Sequence, residues 1–407
     1  MKKLYRNYIQ NFQGLSKEIW FLSLVTFINR AGAMVIPFLS LYLVNDKGFS
    51  LPEVGWIMTC FGLGSFFGTL LGGKLTDRFG FYIVIVASLF FGGIAFVLVG
   101  FLNSFVAICL GIFTLIFIAD AYRPAIFVAC EAYSKPGNVT RAIALIRLAI
   151  NLGFSIGPLI GGIIITRLSY GSLFWIDGIT CVIAAIMLFI MLRPKKIDET
   201  EKEALRMKHG RPPLRNGVFV LLLLIMVTQS IVFVQYFSVV PLYYEKAHFL
   251  TPDLIGWLLF LNGAMIVIFE MPLIGWLERK KISKSIASLW GVLLLSASLF
   301  ILNVTTWSGI LIVGMILMTL GEMIGSPFSS ALALEMAPKG RKGNYMAYFS
   351  MTFSVSHLVG HNTGMNLVDT WGFDLTWYAM AGFLLLIAIL TLWLYRQLKN
   401  SPNYEST

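Results

Sequence analysis

This sequence predicts an all-α membrane protein of twelve transmembrane helices in two pseudo-symmetric six-helix bundles, on three observations. Hydrophobic residues make up 57% of the 407, charged residues only 13%, and the mean hydropathy is +0.80. Apolar runs long enough for a helix to cross a hydrocarbon core of about 30 Å recur along the whole chain. An internal repeat at an offset of about 200 residues relates the two halves.

The runs place α1 to α6 near residues 18–44, 51–75, 81–101, 104–130, 140–166 and 171–192. Helices α7 to α12 follow near 217–244, 252–277, 284–303, 306–335, 343–367 and 373–396. Bundles over 18–192 and 217–396 are therefore expected, joined by a linker at 193–216 and ending in a tail at 397–407. Within the segment 1–17, Leu4, Tyr8, Phe12 and Leu15 recur at helical spacing, which suggests a short interfacial helix. No short apolar region followed by a small-residue cleavage site precedes α1, so no leader is expected to be removed.

The net charge of +11 raises nucleic acid as a partner, but its distribution points elsewhere. Only Lys47, Arg167 and Lys246 fall on one side of the predicted bilayer, and Arg30, Arg123 and Arg147 lie at membrane depth. The rest of the 31 Lys and Arg lie on the other side, Lys2, Arg6, Arg193, Lys280 and Arg341 among them. By the positive-inside rule that side is the cytoplasm, which holds both termini and the linker. A monomeric multi-pass protein of the plasma (inner) membrane is expected, with membrane lipid, a small-molecule substrate and protons or sodium as partners and no nucleic acid.

Cys60, Cys109, Cys130 and Cys181 lie in or beside helices, with no C-x-x-C pair and no histidine at zinc-ligand spacing. Disulfides, metals and cofactors are not expected. Gly68, Gly73 and Lys74 mimic a phosphate-binding loop, but Leu75 replaces the hydroxyl that the loop requires and the stretch lies inside α2. No enzymatic signature is present, so no catalytic residues are assigned.

The repeat aligns geometry as well as hydrophobicity. Gly55-Trp56 matches Gly256-Trp257, Gly62 matches Gly263, and Asp77-Arg78 matches Glu278-Arg279. Further on, Gly157 and Gly161 match Gly360 and Gly364, and Glu131 to Lys135 matches Glu335 to Lys339. Parallel six-helix repeats of this kind are associated with solute transport at the bilayer midplane.

The loop after α2, Gly72-Gly73-Lys74-Leu75-Thr76-Asp77-Arg78-Phe79-Gly80, resembles the G-x-L-x-D-R-x-G signature of the major facilitator superfamily, and the resemblance covers the whole chain. Phe81 and Tyr82 stand where two basic residues usually follow. In α5, Gly153, Gly157, Pro158, Gly161 and Gly162 form a helix-packing motif similar to that of drug/proton antiporters in that superfamily. Asp120 to Pro124 resembles part of the arginine motif of α4, although Ile126 and Phe127 replace Gln and Gly. Gly321-Glu322 to Pro327, running on to Lys339, is similar to drug exporters and to proton-dependent oligopeptide transporters. The peptide branch would place two glutamates at positions held here by Thr26 and Asn29, leaving only Arg30.

The resemblance implies a cytoplasmic gate built from Gly73, Asp77, Arg78, Gly80, Glu131 and Arg141, with Glu278, Arg279, Glu335 and Arg341 as repeat-related counterparts. Ionisable groups at membrane depth are costly, which makes each a functional candidate. Asp120 and Arg123 share a helical face and can pair, whereas Glu322 has no basic neighbour within a turn. Asp120, Arg123 and Glu322 are therefore candidates for proton coupling. Arg30, Asn151, Arg147, Gln229, Gln235, Tyr236, Asn262, Glu270, His357 and His361 are candidates for the substrate cavity.

The leading expectation is a secondary active transporter, a proton-coupled antiporter that exports an amphipathic or charged small molecule by alternating access, with sodium as the other possible coupling ion. The alternatives are a proton-coupled uptake symporter for a peptide-like, zwitterionic or sugar-like solute, and a non-transporting membrane receptor or scaffold.

Overall fold

The computed structural model describes residues 15–135, 139–195, 212–338 and 342–399. The described chain is helical almost throughout. Helix α1 covers Lys17–Asp46, α2 Leu51–Phe79, α3 Phe81–Gly100, α4 Phe105–Tyr133, α5 Val139–Arg167 and α6 Tyr170–Met191. Helix α7 crosses at Gly217–Phe237 and continues as a short helix at Val239–His248. Helix α8 covers Pro252–Arg279, α9 Lys284–Ile301 and α10 Ile310–Glu335. The last helical stretch, Lys342–Lys399, bends at Gly372, whose φ of 73° ends α11 (342–371) and starts α12 (373–399). The twelve expected crossings are thus all present. Most of the expected interfacial helix, and 196–211 of the linker, lie outside the described residues.

Outward-facing apolar side chains such as Leu98, Ile183, Phe189, Ile190 and Ile389 are exposed because lipid, rather than water, is the solvent of those faces. Helix starts carry their own caps: Ser16, Ser104, Ser169, Asn216 and Ser283 each accept a backbone amide of the following turn. Gly80, with φ of 88°, makes the turn between α2 and α3 in a conformation that side chains disfavour.

The chain divides into two compact units, Met1–Ile36 with Leu63–Asp198, and Pro37–Gly62 with Glu199–Thr407. The central linker is one point of division. The outer part of α1 and the first part of α2, Pro37–Gly62, belong to the second unit.

In the first unit α1 packs on α5 and α3 on α6, around a core that includes Ile19, Leu22, Ile85, Tyr122, Ile126, Ile146 and Leu188. Three glycines one turn apart, Gly64, Gly68 and Gly72, let α2 approach the backbone of α4 at Phe113, Phe117 and Ala121. In the second unit α9 packs on α10 and α7 on α11. Gly291 and Gly325 make the first contact so close that a Cβ on Gly291 would stand 2.6 Å from the Gly325 Cα.

Candidate transport sites in the two units

Helix α4 is interrupted after Asp120. Pro124 has no amide with which to reach the Asp120 carbonyl one turn back, so the helix breaks at Ala121 and restarts at Tyr122. Gly68 and Gly72 bring α2 against this break, and Ser65 on α2 then donates to Asp120 Oδ2 at 2.5 Å. Arg123 Nε donates to Asp120 Oδ1 at 2.8 Å, so each carboxylate oxygen is held. Asp120 is only 6% exposed, whereas the Arg123 side chain is 43% exposed.

Arg30 stands nearby on α1. Its guanidinium carbon lies 5.6 Å from the centre of the Tyr122 ring and 5.4 Å from that of Phe154. Tyr122 is fixed in turn by a 2.8 Å hydrogen bond with Thr26, so the ring beneath the arginine is held from α1 itself. Gly153 explains how α5 reaches this point, since a Cβ there would stand 2.6 Å from the Arg30 Cβ. Gly157 faces the Ala31 carbonyl in the same way, at 3.0 Å. The first two glycines of the α5 motif are thus the seat of α1. Pro158 lies within the continuous helix, with Gly161 and Gly162 one turn beyond.

Asp177 is a buried acid that the sequence reading passed over. Helix α1 breaks between Ala31 and Val35, and Asp177 on α6 accepts the freed amides of Met34 at 3.0 Å and Val35 at 2.8 Å. The available signal was an acid alone within the apolar run of α6. Ser65 was passed over too, because a serine in a membrane helix is common.

In the second unit Asn262 Nδ2 on α8 donates to Glu322 Oε2 at 3.0 Å and lies 3.1 Å from Thr319 Oγ1. Glu322 is half-buried, between Gly321 and Gly325, which seat α9 against α10. Glu270, further along α8, interacts electrostatically with Glu322. Gln229 approaches α10 at Gly325, where a Cβ would lie 3.4 Å from its Nε2.

His357 Nδ1 and His361 Nε2 are 2.9 Å apart on α11, and the Phe61 ring lies 5.7 and 6.1 Å from the two imidazoles. Gln235 and Tyr236 are fully buried in helix packing rather than on an open surface. Gln235 Nε2 donates to the Ile231 and Gly360 carbonyls, and Tyr236 Oη donates to Ser298. Asn151 is half-buried and Arg147 exposed on α5.

At the end of α2, Arg78 is exposed and stacks over Phe79, 5.1 Å from its ring centre. Gly73 has open space beside it, and Glu131 is exposed. The side chains of Asp77, Arg141, Glu278 and Arg341 lie outside the described residues. Glu335 instead pairs with Lys284 of α9. The four cysteines are free, and no cluster of metal-binding side chains occurs among the described residues.

A family model described as Major Facilitator Superfamily matches residues 19–361 and 248–406. The chain is 23% identical to a Na(+), Li(+), K(+)/H(+) antiporter of Planococcus maritimus, over 91% of this chain and 93% of the relative. It is 24% identical to the multidrug resistance protein MdtH of Aeromonas salmonicida, over 86% and 87%. Its fold is similar to a crystal structure of a peptide transporter POT in complex with sulfate, with a TM-score of 0.77, 16% identity, and coverage of 95% and 96%. The nucleoside transporter NupG gives a TM-score of 0.77 at 14% identity, covering 93% of this chain and 99% of that one.

Proposed function

The chain belongs to the Major Facilitator Superfamily, whose members are secondary transporters, and we propose that it is a proton-coupled antiporter exporting an amphipathic or charged small molecule by alternating access. The observation that carries this reading is Glu322, a carboxyl group at membrane depth whose hydrogen-bond donor is an amide, Asn262, rather than a cation. A carboxylate in such surroundings gains by taking up a proton and loses it when a cationic or water-filled environment returns. Asp120, held by Ser65 and Arg123, is the second proton-linked group, and Arg123 is the charge that competes with its proton. The antiporter and multidrug relatives support exchange over uptake.

The cytoplasmic gate at Gly73, Asp77, Arg78, Gly80, Glu131 and Arg141 belongs to the same proposal, as do an inner-membrane location and cytoplasmic termini. The test is proton movement in proteoliposomes on addition of a panel of amphipathic cations, anions and zwitterions. An antiporter acidifies or alkalinises the lumen in the sense opposite to substrate flow. Flow of both in one direction would show a symporter, and binding without proton movement would show a receptor.

A further inference from the structure

At one end of the first unit, the start of α1 and the ends of α4 and α6 line a cavity of about 610 Å³. Hydrogen bonds between these elements frame it. Ser16 Oγ donates to the Tyr133 carbonyl at 2.7 Å, Tyr133 Oη to the Arg193 carbonyl at 2.6 Å, and Lys195 Nζ to the Ala132 carbonyl at 2.7 Å. Carbonyls at helix C-termini ordinarily repel an anion. Here the carbonyls of Ala132, Tyr133 and Arg193 are taken up by donors.

The charge left over on the lining is positive. Lys135 and Arg193 are exposed, and their side chains make no hydrogen bond or ion pair among the described residues. Lys195 spends one donor on Ala132 and keeps the others. Glu18 is the one acid on the lining among the described residues. The same end turns apolar within about a turn, because Trp20 on α1 and Phe189 and Ile190 on α6 are exposed. Free cations beside a lipid-facing surface with a tryptophan mark the depth at which headgroups lie.

We propose that this cavity binds the headgroup of an anionic phospholipid, with Lys135, Arg193 and Lys195 on its phosphates and its acyl chains running past Trp20 and Phe189. The Arg193 fork takes phosphate oxygens in pairs, and the lysines act as point charges. Three cations against one acid, in a cavity within the range of roughly 300–1,000 Å³ that holds small molecules, favour a headgroup with two phosphates, as in cardiolipin. The site lies on the face assigned above to the cytoplasm, so its place in the cell rests on that orientation, and it is separate from the path of the solute.

The test is the thermal stability of the purified full chain in detergent, titrated with cardiolipin, phosphatidylglycerol, phosphatidylcholine or inorganic pyrophosphate. Cardiolipin should raise the melting temperature at lower phosphate concentration than phosphatidylglycerol, and phosphatidylcholine should not raise it. Half-saturation by cardiolipin should rise about tenfold or more when Lys135→Gln and Arg193→Gln are combined. It should stay unchanged when Lys280→Gln and Lys399→Gln are combined, which removes exposed cations elsewhere. Glu18→Gln should lower it about threefold, which keeps the proposal falsifiable if the first pair does not fold. Equal potency of pyrophosphate would assign the site to a soluble diphosphate and overturn the lipid. Equal potency of phosphatidylglycerol would overturn the two-phosphate headgroup. Equal stabilisation by phosphatidylcholine, or unchanged half-saturation in these Lys135, Arg193 and Glu18 variants, would overturn the site itself. Binding in detergent needs neither transport nor a membrane orientation, so failure of either reading registers separately.

Discussion

Asp177 on α6 caps a helix to which it does not belong: its Oδ2 accepts the amide of Val35 on α1 at 2.8 Å. With Met34 on Oδ1, one carboxylate satisfies both amides freed where α1 breaks. Both partners are buried, so no water replaces the acid if it is removed.

Asp177→Asn keeps the volume but turns one acceptor into a donor facing an amide. The loss expected is about 1–3 kcal/mol, the scale of a charge-assisted hydrogen bond left unmade. The check is the melting temperature of the purified protein in detergent, and an unchanged value would show that the cap contributes nothing.

Gly153 and Gly73 make opposite predictions. A side chain at Gly153 meets Arg30 and the α1 backbone, so Gly153→Leu should destabilise by about 1–3 kcal/mol, as overpacking does elsewhere. Gly73 has open space, so Gly73→Ala should be neutral or slightly stabilising. Equal effects in a chemical denaturation series would contradict the packing described for α5 on α1.

Ser65 and Asp120 should be energetically coupled. Ser65→Ala, Asp120→Asn and the double variant form a cycle whose interaction energy is expected at about 0.5–3 kcal/mol. Strict additivity would mean that the short contact carries no stability.

His248 gives a pH dependence of known sign. It lies beyond the α7 span, hydrogen-bonded to Tyr243 Oη at 3.1 Å, and burial lowers its proton affinity below the ordinary histidine value. The unfolded chain therefore binds a proton from about pH 6.5 downward that the folded chain resists. Stability is fully present above that pH and is lost as pH falls through the folded value. Melting temperatures from about pH 8 to 5 should fall more steeply in the wild type than in His248→Gln, and parallel curves would remove His248 from the account.

The helices were legible because each crossing needs about twenty apolar residues, and a run of that length is hard to hide. Even the bend at Gly372 appeared as a gap between two runs. The break in α4 was legible in principle, since Pro124 names the carbonyl it cannot reach. The break in α1 was legible in the same way, since Pro37 has no amide for the Ala33 carbonyl, but the acid that accepts the freed amides, Asp177, was not, because it lies 142 residues away from Val35. Polar residues were the least legible. Gln235, Tyr236 and Asn262 look alike in sequence, yet the first two close helix contacts while Asn262 reaches Glu322. Sequence spacing predicted the Asp120–Arg123 pair because three residues place both on one helical face. It could not predict Ser65, whose partner is set by the glycines beside it.

The most direct test of proton coupling is substrate-driven proton movement in proteoliposomes carrying the wild type, Glu322→Gln, Asp120→Asn or both. Coupled movement is expected in the wild type, reduced by about tenfold or more in Glu322→Gln and lost in the double variant, with substrate binding retained. Undiminished proton-coupled transport in the double variant would contradict the assignment of coupling to these two carboxylates.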